Sequence, residues 1–316
     1  MTITQLHYVL ALAEHRNFTL AAEKCFVTQP TLSMQIQKLE EELDVIIFDR
    51  TKKPIQLTSV GEKIVEQARR IVNESERIQD IIDIQKGFVG GDFKLGIIPT
   101  VMPTLLPMFL NTFIKKYPKV HLIIEERNTT DILQRLKNGH LDAGILATPL
   151  EDDEIKEKVL YYEPFVGYVP TTNVLYQQEK IHPDDLNSNE LLLLEDGHCF
   201  TRGVLNICKT KAEKSNDKFE LKSGSFETLI QLANEGLGVT LLPYLHTLNI
   251  TEKDKDKLKH FESPVPSREI SIVHTKNELK IQIIEALYNT IQGVVRGAIA
   301  FHDVKIISPL SKKGSN

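Results

Sequence analysis

The run Gly87-Phe88-Val89-Gly90-Gly91 separates two styles of sequence. Ahead of it, apolar residues recur mainly at helical spacing. Behind it, apolar runs of strand length alternate with helical stretches. A chain with that break folds as at least two units joined at a glycine-rich hinge, because one packing scheme does not bury both patterns. Its 316 residues are enough for two or three domains.

Ahead of the hinge, Leu6, Val9, Leu10 and Ala13 share one helical face, which predicts a helix from about Thr4 to Glu14. Arg16-Asn17-Phe18 breaks it. Thr19 is the expected N-cap of a short second helix that runs through Cys25, with Ala21 and Ala22 allowing close packing. Thr28 caps a third helix, and Pro30 sits in its first turn, where a missing N–H costs little. Leu32, Ile36, Leu39 and Leu43 stripe its inner face and leave Pro30, Thr31, Ser33, Met34 and Gln37 outside or flanking. Val45 to Phe48 and Ile55 to Leu57, around Arg50, Lys52, Lys53 and Pro54, predict a two-stranded ribbon with a basic tip. Thr58 then caps a long helix to about Lys86. There Ile64, Ile71 and Ile78 recur every seven residues, with Val60 and Ile81 on the adjoining position. A seam that narrow suits pairing with a second copy, although Gln67 and Glu74 interrupt its second row.

From Asp92 onward, strands are expected at Phe93 to Ile98, Leu122 to Ile124, Ala143 to Leu146, Phe165 to Val169, Leu191 to Leu194, around Leu241 and at Ile270 to His274. Helices fall through Phe109 and Phe113, around Ile132 to Lys137, at Phe226 to Asn234 and from about Lys280 to Arg296. The alternation predicts an α/β unit with a mostly parallel sheet.

Charge does not by itself point to nucleic acid. The net charge is −5, and through Val60 the basic side chains do not outnumber the acidic ones. With 41% hydrophobic and 26% charged residues the composition is that of an ordinary globular protein, and no apolar run reaches the roughly 18 residues of a membrane span. The opening residues lack the pattern of a leader peptide, so the cytoplasm is the expected location and no membrane partner is expected. The three cysteines, Cys25, Cys199 and Cys208, contain no CxxC pair, and neither a disulfide framework, nor a metal site, nor a cofactor is expected.

Three stretches of the N-terminal segment, Asn17 to Glu23, Val27 to Ser33 and Gln35 to Leu43, resemble the winged helix-turn-helix signature of LysR-type transcriptional regulators. Phe48-Asp49-Arg50 and Leu57 to Gly61 are similar to that family's wing and exit. The resemblance covers nearly the whole chain. It implies an α/β fold made of an N-terminal winged helix-turn-helix domain over 1–58, a linker and dimerisation helix with its hinge over 59–91, and a two-lobed regulatory domain like the periplasmic binding proteins. Lobe I would hold 92–164 and 269–300, and lobe II would hold 165–268. A recognition helix enters the major groove by its N-terminal end, where its first amides can take a phosphate. The implied DNA-contacting residues are Thr28, Gln29, Pro30, Thr31 and Ser33, with Lys38, Arg50, Lys52 and Lys53 supplying attraction to the backbone. Members often carry Arg where this chain has Met34 and Gln37, so an operator sequence does not carry over.

Leu194-Glu195-Asp196-Gly197-His198-Cys199, followed by Cys208, is similar to the redox loop of the hydrogen-peroxide-sensing OxyR subfamily. The resemblance implies that peroxide oxidises Cys199 to a sulfenic acid and that Cys208 resolves it as a disulfide. It also implies Thr100, Thr129, His198 and Arg268 as residues that hold peroxide or favour the thiolate. Thr201 stands where members commonly place a basic residue, so rates and potentials do not transfer. Cys25 reads as a small core residue. The implied partners are double-stranded DNA with dyad symmetry, hydrogen peroxide as signal, RNA polymerase, a thiol reductant and further copies of the chain in a homodimer or homotetramer. Two rival readings use the same residues. One is a LysR-type regulator that takes a small inducer in the interlobe cleft. The other is a thiol peroxidase, against which stands the winged helix-turn-helix, so no enzyme is expected.

Overall fold

The computed structural model describes residues 1–85, 89–186, 190–195, 199–207, 221, 223–299, 304–307 and 309. It divides into two compact units, the first built from residues up to Phe88 and the second from Val89 onward apart from Asn138–His140.

The first unit opens with three helices, α1 (Ile3–His15), α2 (Phe18–Lys24) and α3 (Gln29–Leu43). Thr2 and Gln5 close a reciprocal capping box on α1, and Arg16 ends it in the left-handed region. The N-cap of α2 is Asn17 rather than Thr19. Its carboxamide oxygen accepts the amides of both Thr19 and Leu20, at 2.9 and 3.1 Å, a reach that leaves Thr19 as the second helical residue. Thr28 caps α3 as expected, with Pro30 in the first turn. Leu6, Val9, Leu12, Leu32, Ile36 and Leu39 are buried together in the centre of the three helices.

A ribbon of β1 (Phe48–Asp49) and β2 (Gln56–Leu57) follows, paired antiparallel with Phe48 opposite Leu57. It leads into α4 (Ser59–Gln85). The Thr58 hydroxyl accepts the Gly61 amide at 2.9 Å and donates to the Ile46 carbonyl at 2.7 Å. A Cβ at position 61 would lie 2.1 Å from the Ile47 carbonyl oxygen, so only glycine permits this approach of α4 to the ribbon. Val65, Ala68 and Val72 bury one face of α4 in the helical core, and Ile64 and Ile71 pack at its edge. Val60, Ile78, Ile81 and Ile82 are exposed. The seven-residue seam is therefore divided between this unit's own core and an outward apolar row.

In the second unit, β3 (Gly91–Ile97), α5 (Met102–Lys116), β4 (Val120–Glu126), α6 (Thr129–Lys137) and β5 (Ala143–Thr148) form a β-α-β-α-β run with β3 between β4 and β5, all parallel. The long strand β6 (Ile155–Tyr168) comes next, then β7 (Lys180–Ile181), α7 (Cys199–Ile207), α8 (Phe226–Asn234), β8 (Thr240–Pro243), the single turn α9 (Tyr244–Thr247) and β9 (Leu258–Phe261). The second long strand, β10 (Val265–Thr275), returns the chain to β5 before α10 (Ile281–Val295) and β11 (Val304–Ile306). Leu191 to Leu194 is not a strand; Leu191 makes only an isolated bridge to Val239.

The sheet is mixed rather than mostly parallel. β10 runs antiparallel to both β5 and β6, and β6 runs antiparallel to β8 and β9. The reason is that β6 and β10 are shared. The first part of β6 pairs β10 beside β3, β4 and β5, and its last residues, Phe165 to Tyr168, pair β8 and β9. Two strands thus pass in opposite directions between two lobes, and each lobe has its own core. Phe93, Phe109, Phe113, Ile145, Ile272 and Leu287 belong to the first, and Phe165, Tyr168, Phe200, Phe226 and Leu242 to the second. Among the described residues no helix is long and apolar enough to cross a membrane.

Ile272 is fully buried between β5 and β6, so Ile272→Ala should lower the stability of this unit by about 2–5 kcal/mol, read as a lower urea midpoint at unchanged slope.

Candidate functional site

In the first unit, the N-terminal end of α3 presents Thr28, Gln29 and Pro30 to solvent, with Thr31 and Ser33 half-buried beside them. Thr28 and Thr31 share a hydroxyl–hydroxyl bond of 2.8 Å, which orients both at the helix start. Lys38 is exposed further along α3. The carboxylate of Glu40, buried on the inner side, accepts the amides of Ile47 and Phe48 at 2.8 and 3.1 Å and the Arg50 guanidinium at 2.7 Å. One acidic side chain on α3 therefore fixes the ribbon. Arg50 also lies over the Phe18 ring, 5.6 Å from its centroid. Its charge is largely committed inside the unit, and Lys52 and Lys53, exposed in the turn, carry the basic tip. Cys25 is half-buried against this core, and burial pushes its thiol up, which makes it a poor nucleophile.

The second unit brings a charged cluster together where the two long strands cross between lobes. Arg268 on β10 pairs across the sheet with Glu163 on β6. Its Nε and Nη2 both donate to Glu163 Oε2, at 3.0 and 2.7 Å. Its Nη1 donates to Thr100 Oγ1 at 2.8 Å and its Nη2 to the Thr100 carbonyl at 3.0 Å, so the guanidinium also binds the loop between β3 and α5. The second oxygen of Glu163 accepts the Leu245 amide at 2.9 Å. The Arg268 and Glu163 side chains are 4% and 1% exposed, which rules out a surface role for Arg268. A buried pair of this kind persists only when the remaining donors and acceptors are satisfied, and here Thr100 and Leu245 do that.

Arg268 is covered by the Phe200 ring, with Cζ 5.2 Å from the centroid. Phe200 packs on Phe165 and edge-on against Phe226, and Phe226 packs on His246. Burial holds His246 below the usual histidine range against the opposing pull of Glu227 and Glu163, while Arg268 lowers it further. The aromatic ladder thus joins α7, α8 and α9 over the ion pair. The backbone of Cys199 opens α7, one residue before Phe200. Thr201, buried, donates its hydroxyl to the Leu194 carbonyl at 3.0 Å and ties the start of α7 to the segment before it. Thr129 is the first residue of α6, after Asn128, whose side chain accepts the Asp131 amide. His198 and Cys208, with the side chain of Cys199, lie outside the described residues. The sequence reading assigned no role to Glu163, Phe200 or the Leu245 amide, and marked Thr201 only as a departure from the subfamily pattern. An isolated Glu before Pro164 and an isolated Phe carry no local sign of a partner far along the chain.

Residues 3–62 match the bacterial regulatory helix-turn-helix model of the lysR family, and residues 86–296 match the LysR substrate binding domain. The chain belongs to the LysR family. Its members are DNA-binding transcription regulators and not enzymes. Within the LysR family the chain is 34% identical over 297 residues to the hydrogen peroxide-inducible genes activator of Pectobacterium carotovorum subsp. carotovorum, covering 94% of this chain and 98% of that one. Among solved structures it is similar to a full-length cysteine-to-aspartate variant of OxyR from Pseudomonas aeruginosa, with a TM-score of 0.75 and 34% identity over 92% of this chain and 98% of that one. It is also similar to a hydrogen-peroxide-bound cysteine-to-serine variant of OxyR from Corynebacterium glutamicum, with a TM-score of 0.64, 26% identity, and coverage of 94% and 93%.

Glu163→Gln leaves the Arg268 charge buried without its counter-ion, and should cost on the order of 3 kcal/mol in chemical denaturation while a distant surface change such as Lys115→Gln costs almost nothing.

Proposed function

We propose that this LysR-family regulator responds to hydrogen peroxide through Cys199 and transmits the response to DNA. The observation that carries the reading is the buried Arg268–Glu163–Thr100 cluster under Phe200, with Cys199 the residue immediately before Phe200 at the start of α7. A thiolate is the reactive form, and a cation together with a helix start favours it. Peroxide transfers one oxygen to the Cys199 thiolate, giving a sulfenic acid and hydroxide. The Cys208 thiol then attacks the sulfenic sulfur, forming the disulfide and releasing water. A cellular thiol reductant returns both cysteines to thiols. Thr100 and Thr129 orient the oxidant, and His198 and Arg268 support the negative charge. The printed names of the relatives support the choice of signal. The protein acts in the cytoplasm, with RNA polymerase as its partner at promoters of antioxidant genes.

On DNA, α3 enters the major groove by its N-terminal end and the ribbon lies against the backbone. Thr28, Gln29, Pro30, Thr31 and Ser33 face the bases and nearby phosphates, and Lys38, Lys52 and Lys53 supply attraction. Arg50 acts first as a structural partner of Glu40. A dyad-symmetric operator follows from dimerisation along α4, whose outward row of Ile78, Ile81 and Ile82 is the apolar surface left over after its own core is packed. Contacts between regulatory domains complete a tetramer. In sedimentation, Ile78→Asp should dissociate the dimer. Ile71 is the poorer test because it packs against its own unit.

Two experiments follow. Replacing Lys52 and Lys53 by Ala should weaken binding to all duplexes and flatten the salt dependence by roughly two counter-ions per protomer, whereas Gln29→Ala should cost about 1–3 kcal/mol on the specific site alone. Unchanged salt slopes would remove the ribbon from the interface. For the redox step, a stoichiometric peroxide pulse followed by peptide mapping should find a Cys199–Cys208 bridge in the wild type. Cys208→Ser should instead give a trappable sulfenic acid at Cys199, and Cys199→Ser no response. If both thiols stay free while a metabolite alters the footprint, an inducer in the interlobe cleft takes the place of peroxide.

A further inference from the structure

Phe26 lies in the turn between α2 and α3, and it is 96% exposed, more than any other large apolar residue among the described residues. Its backbone is in the left-handed region, at φ 55°. The way α2 stops accounts for that conformation. The Phe26 amide donates to the Glu23 carbonyl at 3.1 Å and the Val27 amide to the Ala22 carbonyl at 3.0 Å, the paired bonds that close a helix when the residue after its cap turns left-handed. Val27 then packs on the helical core and leaves Phe26 outside it. Glycine is the residue such a position favours, and a bulky side chain there is an outlier. Arg16 and Asp44 end α1 and α3 in the same region, but as charged side chains that water solvates. A phenyl group gains nothing from the place. It is strained at the backbone, buries almost no surface in its own unit and meets water on nearly all sides.

What the ring has beside it along the chain is the start of α3. Thr28, the N-cap of α3, is two residues further on, and two residues of chain span at most about 7 Å. The same end of α3 carries Gln29 and Pro30, both exposed, and a recognition helix enters the major groove by that end. A ring held just ahead of it meets the duplex at the edge of the groove. The hydrocarbon that a duplex offers there is of two kinds, the 5-methyl group of thymine and the deoxyribose of the backbone. Contact with either takes the ring out of water, which its own unit does not do. We propose that Phe26 is a DNA-contacting residue whose ring lies on this hydrocarbon surface of the duplex, flanking the polar contacts of Gln29. The proposal rests on the docking of α3 given above. The hydrogen-bonded turn fixes the backbone from which the ring projects, so little of the chain has to be ordered when the contact forms.

The probe is a dye-labelled duplex selected from a random-sequence pool by the full-length wild-type protein, with binding read by fluorescence anisotropy. Phe26→Gly should weaken binding roughly five- to twentyfold, as the loss of one ring's apolar contact predicts, and Phe26→Leu should keep part of the affinity. The same Phe26→Gly should hold or raise the melting temperature, because glycine fits the left-handed position. A ring with a merely structural role would lower both together. No phosphate contact is lost, so the fall of log affinity with log salt should keep its slope. Replacing thymines by uracil one at a time separates the two surfaces. A thymine whose change weakens the wild type but not Phe26→Gly marks its methyl group as the contact; where binding is weakened and no such thymine is found, the contact is the deoxyribose. Unchanged affinity, a lowered melting temperature or a changed salt slope in Phe26→Gly overturns the proposal. So does a changed sedimentation coefficient, which would make the ring a contact between copies of the chain. Gln29→Ala keeps the proposal apart from the docking it rests on. If that change weakens binding and Phe26→Gly does not, α3 docks as described without the ring. If neither matters, docking and contact both fail. If Phe26→Gly alone weakens binding, the ring contact stands and the docking of α3 is revised.

Discussion

The second unit is organised around one buried ion pair. Arg268 and Glu163 sit opposite each other on the two strands that join the lobes, and their remaining hydrogen bonds reach two further elements. Thr100 belongs to the loop that starts α5, and Leu245 to the single turn after β8. Removing either charge would strand the other in a medium where it has no water to turn to. The pair adds little net stability by being there, since desolvation offsets most of the attraction. Its effect is on geometry. It sets how the loop of lobe I, the crossing strands and the first turn after β8 lie relative to one another, and it holds a cation fixed beneath Phe200.

The first unit uses the same device at smaller scale. Glu40 takes two amides and one guanidinium, and so couples α3 to the ribbon that follows it. A charge-assisted bond to a backbone amide is stronger than a neutral one and is insensitive to side-chain rotation on the partner. That matters for a chain with net negative charge approaching a polyanion. Attraction from exposed cations on such a chain is weak, so a fixed relation between α3 and the ribbon counts for more in any DNA contact they make.

Much of this was readable locally. The Thr28–Pro30 start and the stripe of Leu32, Ile36 and Leu39 depend on neighbours a few residues away, and the folded α3 keeps them; the equally local Thr2–Gln5 capping box of α1 went unread. Thr19 was misread because Asn17 two residues earlier is also a capping residue, and its longer side chain reaches two amides. The first half of β6 was invisible for a different reason. Lys156, Glu157 and Lys158 are polar in succession, and the extra residue at Leu160 breaks the period-two pattern before Tyr161. The antiparallel return of β10 left no trace either, because strand direction depends on where the chain comes back and not on the composition of the strand. The site shares that fate: Arg268 and Glu163 stand 105 residues apart, and nothing in either local sequence names the other.

The same contacts decide how a change at the start of α7 can spread. Phe200 touches Arg268, Phe165 and Phe226 at once, and Phe226 touches His246. Thr201 holds the turn back to Leu194. A small rotation of α7 disturbs several of these contacts together, because Phe200 is buried and in contact with Arg268, Phe165 and Phe226. Either the ladder stays as it is or several contacts give way together. If Cys199, the residue before Phe200, is oxidised as proposed, the ladder would have to move as a unit or not at all, because packed contacts of this kind switch between discrete arrangements.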